Sequence, residues 1–230
     1  LIFLSFFIGF RHEIGVDWDQ YVYIVDRFKE GDFLKIILGT EPGYLALSWL
    51  GGRFENSIYF VNFVSSFVFA LGLLIYSRKQ DYPWLSILLA FPILIVMVAM
   101  GYTRQSLAIG FEFFGLNAFE DKKIIQALLF IAIGSLFHVS ILAVIILFIK
   151  NPFKNGIKLK NIILFSTFLY GGYLIYTFQY SDTIVAYYKL YILRVYSSTG
   201  ALYRLIPSIL ASLIMIFNKL KFKLYFGDQI

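Results

Sequence analysis

Two short polar clusters stand inside a chain that otherwise reads like lipid. The first, Arg11-His12-Glu13-Ile14-Gly15-Val16-Asp17-Trp18-Asp19-Gln20-Tyr21, follows directly on an apolar run. The second, Arg104-Gln105, is wedged between two apolar runs, and His138 lies inside a third. Ionisable groups at membrane depth are costly and usually face a cavity or a partner, so each is a candidate for function. Guanidinium and carboxylate groups together suit a phosphate-bearing substrate. Arginine grips phosphate with two parallel N–H donors, and a carboxylate can take the proton of a hydroxyl.

Each candidate also has a plainer reading. Arg104 could snorkel to the nearer surface from the start of an apolar helix. Its neighbour Gln105, and the scarcity of basic residues on that side, favour a substrate-facing role instead. Ala108 and Glu112 follow Arg104 at helical spacing, which puts Glu112 about 12 Å deeper; there it is expected to pair with a cation from another helix or to line the cavity. Asp17 and Asp19 flank Trp18, with Gly15 suited to a tight turn just before them. One of the two is expected to act as a general base, Asp17 first and Asp19 second, and the other to order the loop; a solvated acidic loop is the plain alternative. His138 could bond helix to helix, or donate to a pyrophosphate or sugar oxygen from a turn. His12 is accounted for by an interfacial position. Eight tyrosines between Tyr170 and Tyr196 resemble an interfacial aromatic belt.

The elements that must position these groups are set by composition. The chain has 230 residues, of which 60% are hydrophobic and 20% aromatic, with a mean hydropathy of +0.76. Soluble domains run at roughly 45–50% apolar, so the expectation is an integral membrane protein. The net charge of +6 then speaks to topology, and no nucleic-acid-binding motif accompanies it. No cysteine is present, which excludes disulfides, thiolate metal sites and a thiol nucleophile. With only His12 and His138, neither a metal nor another cofactor is expected. The chain opens on Leu1 inside an apolar run too short to span, so the first transmembrane helix is read as lacking its beginning.

Apolar runs cover residues 1–10, 57–76, 84–102, 105–119, 124–149, 161–180 and 201–217. None alternates as barrel strands do, so all are predicted helical. Residues 124–149 decide the topology. As one span they form roughly 39 Å of helix and need a steep tilt, and they push Lys150, Lys154, Lys158 and Lys160 to the outside. Broken near Phe137-His138 into two short arms, they return those lysines to the side of Arg78, Lys79, Lys122 and Lys123, which the charge bias makes cytoplasmic. The broken helix is the preferred reading, with its turn beside a cavity. Arg11, Asp17, Asp19, Glu41, Arg104 and His138 then share the outer face. Residues 20–38 carry Tyr21, Ile24, Val25 and Phe28 at helical spacing, as in an amphipathic interfacial helix. Thr40-Glu41-Pro42-Gly43 reads as the start of a further helix, with Thr40 as cap. The whole is an all-α polytopic membrane fold of seven to eight transmembrane or re-entrant helices, in a single domain over 1–230, with an outer loop over 11–56.

Four motifs in order, Arg11/Gly15/Asp17/Tyr21, Glu41-Pro42-Gly43-Tyr44, Arg104-Gln105-Ser106-Leu107-Ala108 and Leu136-Phe137-His138-Val139-Ser140, make residues 10–149 resemble the EpsG family. These are bacterial exopolysaccharide polymerases similar to the Wzy O-antigen and capsule polymerases. The resemblance implies a GT-C-like enzyme of the cytoplasmic membrane that joins undecaprenyl-pyrophosphate-linked oligosaccharides at the extracytoplasmic face. It implies catalytic roles for Asp17, Asp19, Arg104 and His138, and substrate contacts for Arg11, Tyr21, Glu41, Tyr44, Gln105 and Ser140. Arg104 and Arg11 would stabilise the pyrophosphate charge without a metal. A chain-length regulator and other polysaccharide-assembly proteins are the implied protein partners. Glu112 lies outside the motifs. Two other functions remain open on the residues alone: a GT-C glycosyltransferase using a polyprenyl-phosphate sugar, and a transporter or flippase for lipid-linked sugars.

Overall fold

Polar punctuation cuts the apolar chain into helices, and the first of them show how. A computed structural model describes residues 1–15, 17–28, 40–55 and 57–145, all of them helix or connecting turn, with no strand among them. Helix α1 runs Ile2–Gly9, α2 Trp18–Phe28 and α3 Pro42–Gly51. Helix α4 runs Ser57–Ser77 and α5 Pro83–Ala90, which passes into a π-helix over Phe91–Ala99. Helix α6 covers Thr103–Glu120 and α7 Ile124–Ser135, and a 3₁₀ turn covers Val139–Val144. Pro42 and Pro83 sit in the first turns of α3 and α5, where the missing N–H removes no helical bond.

Among the described residues, α4 is the helix long and apolar enough to cross a bilayer alone. Pro83–Ala99 and Ile124–Ser135 are apolar but shorter, and α6 carries Arg104, Glu112 and Glu120. The break foreseen in residues 124–149 is present. Helix α7 ends at Ser135, Leu136 and Phe137 turn, and His138 is extended (φ −160°, ψ 126°) before the 3₁₀ turn. The second arm beyond residue 145, and the tyrosine-rich stretch, lie outside the described residues.

Helix α4 is the spine, packed between α1 and α6, and α6 packs in turn on α7. Close van der Waals fit and interhelical hydrogen bonds hold these helices together. The buried faces show this. Ser65, Ser66, Ala70 and Gly72 of α4, and Ser106, Ala108, Gly110, Gly115 and Ala118 of α6, are small. At one crossing a Cβ on Gly72 would lie 2.4 Å from the Gly110 carbonyl oxygen, and a Cβ on Gly110 would lie 2.8 Å from the Val68 carbonyl. The Ser66 hydroxyl donates across to the Ser5 carbonyl at 2.8 Å and so ties α4 to α1. Ile8, Phe69, Leu73, Ile95, Ala99 and Phe113 fill one core. Tyr21, Val25, Tyr44 and Val61 fill a smaller one, where α2 and α3 lie against α4. The amphipathic pattern of α2 therefore turns its apolar face inward onto protein, with Tyr21 and Val25 buried and Asp19, Asp26 and Arg27 outward.

A candidate active site around Glu41

The second core brings the separate motifs together. Tyr21 of α2 and Tyr44 of α3 pack with ring centroids 5.7 Å apart. The Arg104 guanidinium, from the first turn of α6, lies over both rings, 5.4 Å from Tyr21 and 6.0 Å from Tyr44, a cation–π arrangement. Its Nη1 donates to Glu41 Oε2 at 2.9 Å. The other carboxylate oxygen, Oε1, lies 2.5 Å from His138 Nδ1. The far ring nitrogen, His138 Nε2, is 3.3 Å from the Gln105 amide nitrogen. One tautomer satisfies all of this: Nδ1 carries the proton and donates to Glu41, and Nε2 accepts from the Gln105 amide.

Local backbone explains why Glu41 can serve two partners. It lies in the left-handed region at φ 57°, ψ 58°, a costly place for a non-glycine residue and more so before proline. The helix cap is therefore Glu41, and no side chain caps α3. The expectation of a Thr40 cap is corrected: the backbone turns at Glu41 and sends its carboxylate to Arg104 and His138. Next to it, the Gly43 N–H donates to the Leu136 carbonyl at 2.9 Å. That bond fastens the start of α3 to the broken end of α7, and so Glu41 to His138. The side chains of Arg104, Glu41 and His138 are 24%, 16% and 22% exposed, enough for the cluster to be reached from outside the fold.

Asp17 joins at the edge. Its Oδ2 accepts from the Tyr21 hydroxyl at 3.4 Å. Burial pushes both the Tyr21 and Tyr44 phenols up from their ordinary range, so they stay neutral and Tyr21 keeps its donor hydrogen. Gly15 makes the turn before Asp17 at φ 108°, and a Cβ there would lie 2.6 Å from the Gly101 carbonyl oxygen, so both conformation and space demand glycine.

The other candidates stand outside this cluster. Asp19 is exposed in the first turn of α2, where a carboxylate complements the helix dipole, and it does not reach the cluster. Arg11 is 4% exposed, and its guanidinium bonds are made inside the helix packing. Ser140 is exposed beside His138 and makes no contact to the cluster. Glu112 has no cationic partner among the described residues, against the expected ion pair. His12 accepts or donates at 2.7 Å to the Tyr59 hydroxyl at the surface, in keeping with its interfacial reading. Sequence reasoning overlooked Asn62 and Thr103, which meet Arg11. The signal was there: an amide inside an apolar run, and a hydroxyl next to a singled-out arginine. Among the described residues no group of three carboxylate, histidine or cysteine side chains is arranged to hold a metal ion.

The profile of the EpsG family matches residues 1–230, the full length of the chain. The chain belongs to the EpsG family. EpsG proteins are Wzy-like polysaccharide polymerases of bacterial membranes, which places this chain, in general terms, in polysaccharide biosynthesis at a membrane. No curated protein and no solved structure matches it. The four EpsG-like motifs occupy the site: Tyr21 and Asp17 from the first, Glu41 and Tyr44 from the second, Arg104 and Gln105 from the third, His138 from the fourth.

Proposed function

We propose that this protein polymerises oligosaccharide units carried on undecaprenyl pyrophosphate into an exopolysaccharide, capsule or O-antigen, at the outer face of the bacterial cytoplasmic membrane, as a polytopic, metal-independent glycosyltransferase. The observation that carries this reading is the convergence of Arg104, Gln105 and His138 on Glu41.

The reaction breaks the bond between the donor sugar's anomeric carbon and the pyrophosphate oxygen. It forms a bond from that carbon to an acceptor hydroxyl oxygen. The leaving lipid pyrophosphate keeps the bonding electrons, and the hydroxyl proton goes to a base. A pyrophosphate leaves without a proton donor, so charge stabilisation matters most. Arg104 contributes it: one terminal nitrogen is held by Glu41, and the remaining N–H donors can meet phosphate oxygens. Since both Glu41 oxygens are engaged, Glu41 orients Arg104 and His138. His138 Nε2 is then the acceptor for the hydroxyl proton once the hydroxyl takes the place of the Gln105 amide at that nitrogen. Asp17 is the second candidate base, tied to the same cluster through Tyr21.

The test is a deletion strain complemented with this chain and assayed for polymer length on its lipid carrier. The reading expects single lipid-linked repeats to accumulate outside in the deletion strain and long chains to return on complementation. Incomplete repeat units would point to a single-sugar glycosyltransferase, and complete units trapped inside to a flippase.

A further inference from the structure

We propose that Arg11 is a positioning residue: with Asn62 and Thr103 it clamps the first turn of α6, and so sets where Arg104 and Gln105 meet Glu41 and His138. This rests on the reading of those four residues as polymerase machinery. The Arg11 guanidinium reaches three helices at once. Nη1 donates to the Ile8 carbonyl of α1 at 3.0 Å. Nη2 donates to Asn62 Oδ1 of α4 at 3.4 Å and to Thr103 Oγ1 of α6 at 2.5 Å. Thr103 Oγ1 in turn donates to Asn62 Oδ1 at 2.9 Å. Thr103 and Asn62 are both fully buried.

The position of this network decides its role. Thr103 opens α6, whose N-cap Tyr102 makes no side-chain capping bond. The Thr103 hydroxyl ties the start of the helix sideways to Asn62 and Arg11. Arg104 and Gln105 follow immediately, so any slip at Thr103 passes to them undiminished. Among the described residues no carboxylate pairs with Arg11; burial pushes its pKa down to about 10, which leaves it charged at neutral pH. Charge-assisted bonds to neutral acceptors are stronger than ordinary ones. Only the planar fork of arginine spans acceptors on three helices; a lysine offers one point charge.

Thr103→Val keeps the shape of the side chain and removes its hydroxyl, while Thr103→Ser keeps the hydroxyl. Membranes carrying the full chain would be supplied with lipid-linked single repeats extracted from a polymerase-deficient strain. Misplacing a reacting group by about 1 Å costs as much as 10²-fold in rate. Thr103→Val should therefore lower kcat by about tenfold or more, with KM little changed, and Thr103→Ser should recover most of the rate. A wild-type rate in Thr103→Val overturns the proposal. So does an Arg11→Lys variant that raises KM and keeps kcat, the signature of a direct substrate ligand.

A second measurement is independent of turnover. The chain has no cysteine, so spin labels on cysteines placed at Glu112 of α6 and Ser140 beside His138 report the setting of the two elements. Their distance distribution should broaden in Thr103→Val and Arg11→Lys; an unchanged distribution overturns the clamp. Should the parent membranes fail to extend the repeats while the distances respond as described, the clamp stands and the assigned reaction falls.

Discussion

Arg104 and Glu41 lie 2.9 Å apart, although one stands in the first turn of α6 and the other, 63 residues earlier, caps α3. Glu41 holds a strained left-handed backbone that costs about 1–3 kcal/mol, and its bonds to Arg104 and His138 offset that cost. Glu41→Gln removes the carboxylate charge and turns one of the two acceptor oxygens into a donor nitrogen, so Arg104 or His138 loses its acceptor. Long polymer should disappear and stability should fall by about 1–3 kcal/mol, read as a lowered melting midpoint of the detergent-solubilised protein. Wild-type ladders from Glu41→Gln would show that the carboxylate is dispensable.

The base can be assigned by ranking two variants. Loss of a general base typically costs about 10²–10⁴-fold. His138→Gln should bring that loss, with single lipid-linked repeats accumulating. Asp17→Asn should be milder, because the amide oxygen can still accept from the Tyr21 hydroxyl and only the charge is lost. Polymer ladders and initial rates on extracted repeats decide it, and the reverse ranking would make Asp17 the base.

Arg104→Lys should impair polymerisation nearly as much as Arg104→Ala. Lysine keeps the charge but loses the fork that meets Glu41 and phosphate together, and the flat face over Tyr21 and Tyr44. Membrane levels should not change. Recovery of most polymer in the lysine variant would reduce Arg104 to a point charge.

Addition of a chelator to polymerising membranes should leave the rate within about twofold, since in the proposed mechanism the Arg104 guanidinium takes the role of a metal. Strong inhibition, reversed by Mg²⁺ or Mn²⁺, would make Asp17 and its neighbours metal ligands.

The sidedness of the site is open to labelling. A cysteine in place of Ser140 should react with an impermeant thiol reagent on intact cells, and one in place of Arg78 should not, as the charge bias requires. Equal labelling of both would remove the outer-face assignment.

The residues of the cluster were legible one by one, because an ionisable group in an apolar run announces itself whatever its partner. Gly15 and the break before His138 were legible too, since backbone demands are local. Their pairing was not. Nothing local tells that Glu41 reaches Arg104 and His138, because those meetings depend on how α3 seats against α6 and α7. The burial of Arg11 was hidden for a related reason: the same guanidinium chemistry serves a phosphate or a cluster of buried carbonyl and hydroxyl oxygens, and sequence alone does not separate the two. Thr40 misled because a cap signal competes with the tertiary pull on the next residue.

The contact between Gly72 and Gly110 reaches further than its place in the packing suggests. A single methyl at either position collides with backbone of the opposite helix and has no flexible side chain to push aside. The helices must separate to admit it, and Arg104 rides on the one that moves, six residues up the same rod. A random mutagenesis screen for lost polymer should therefore yield inactive yet membrane-inserted proteins with lesions at this helix crossing, away from the Glu41 cluster.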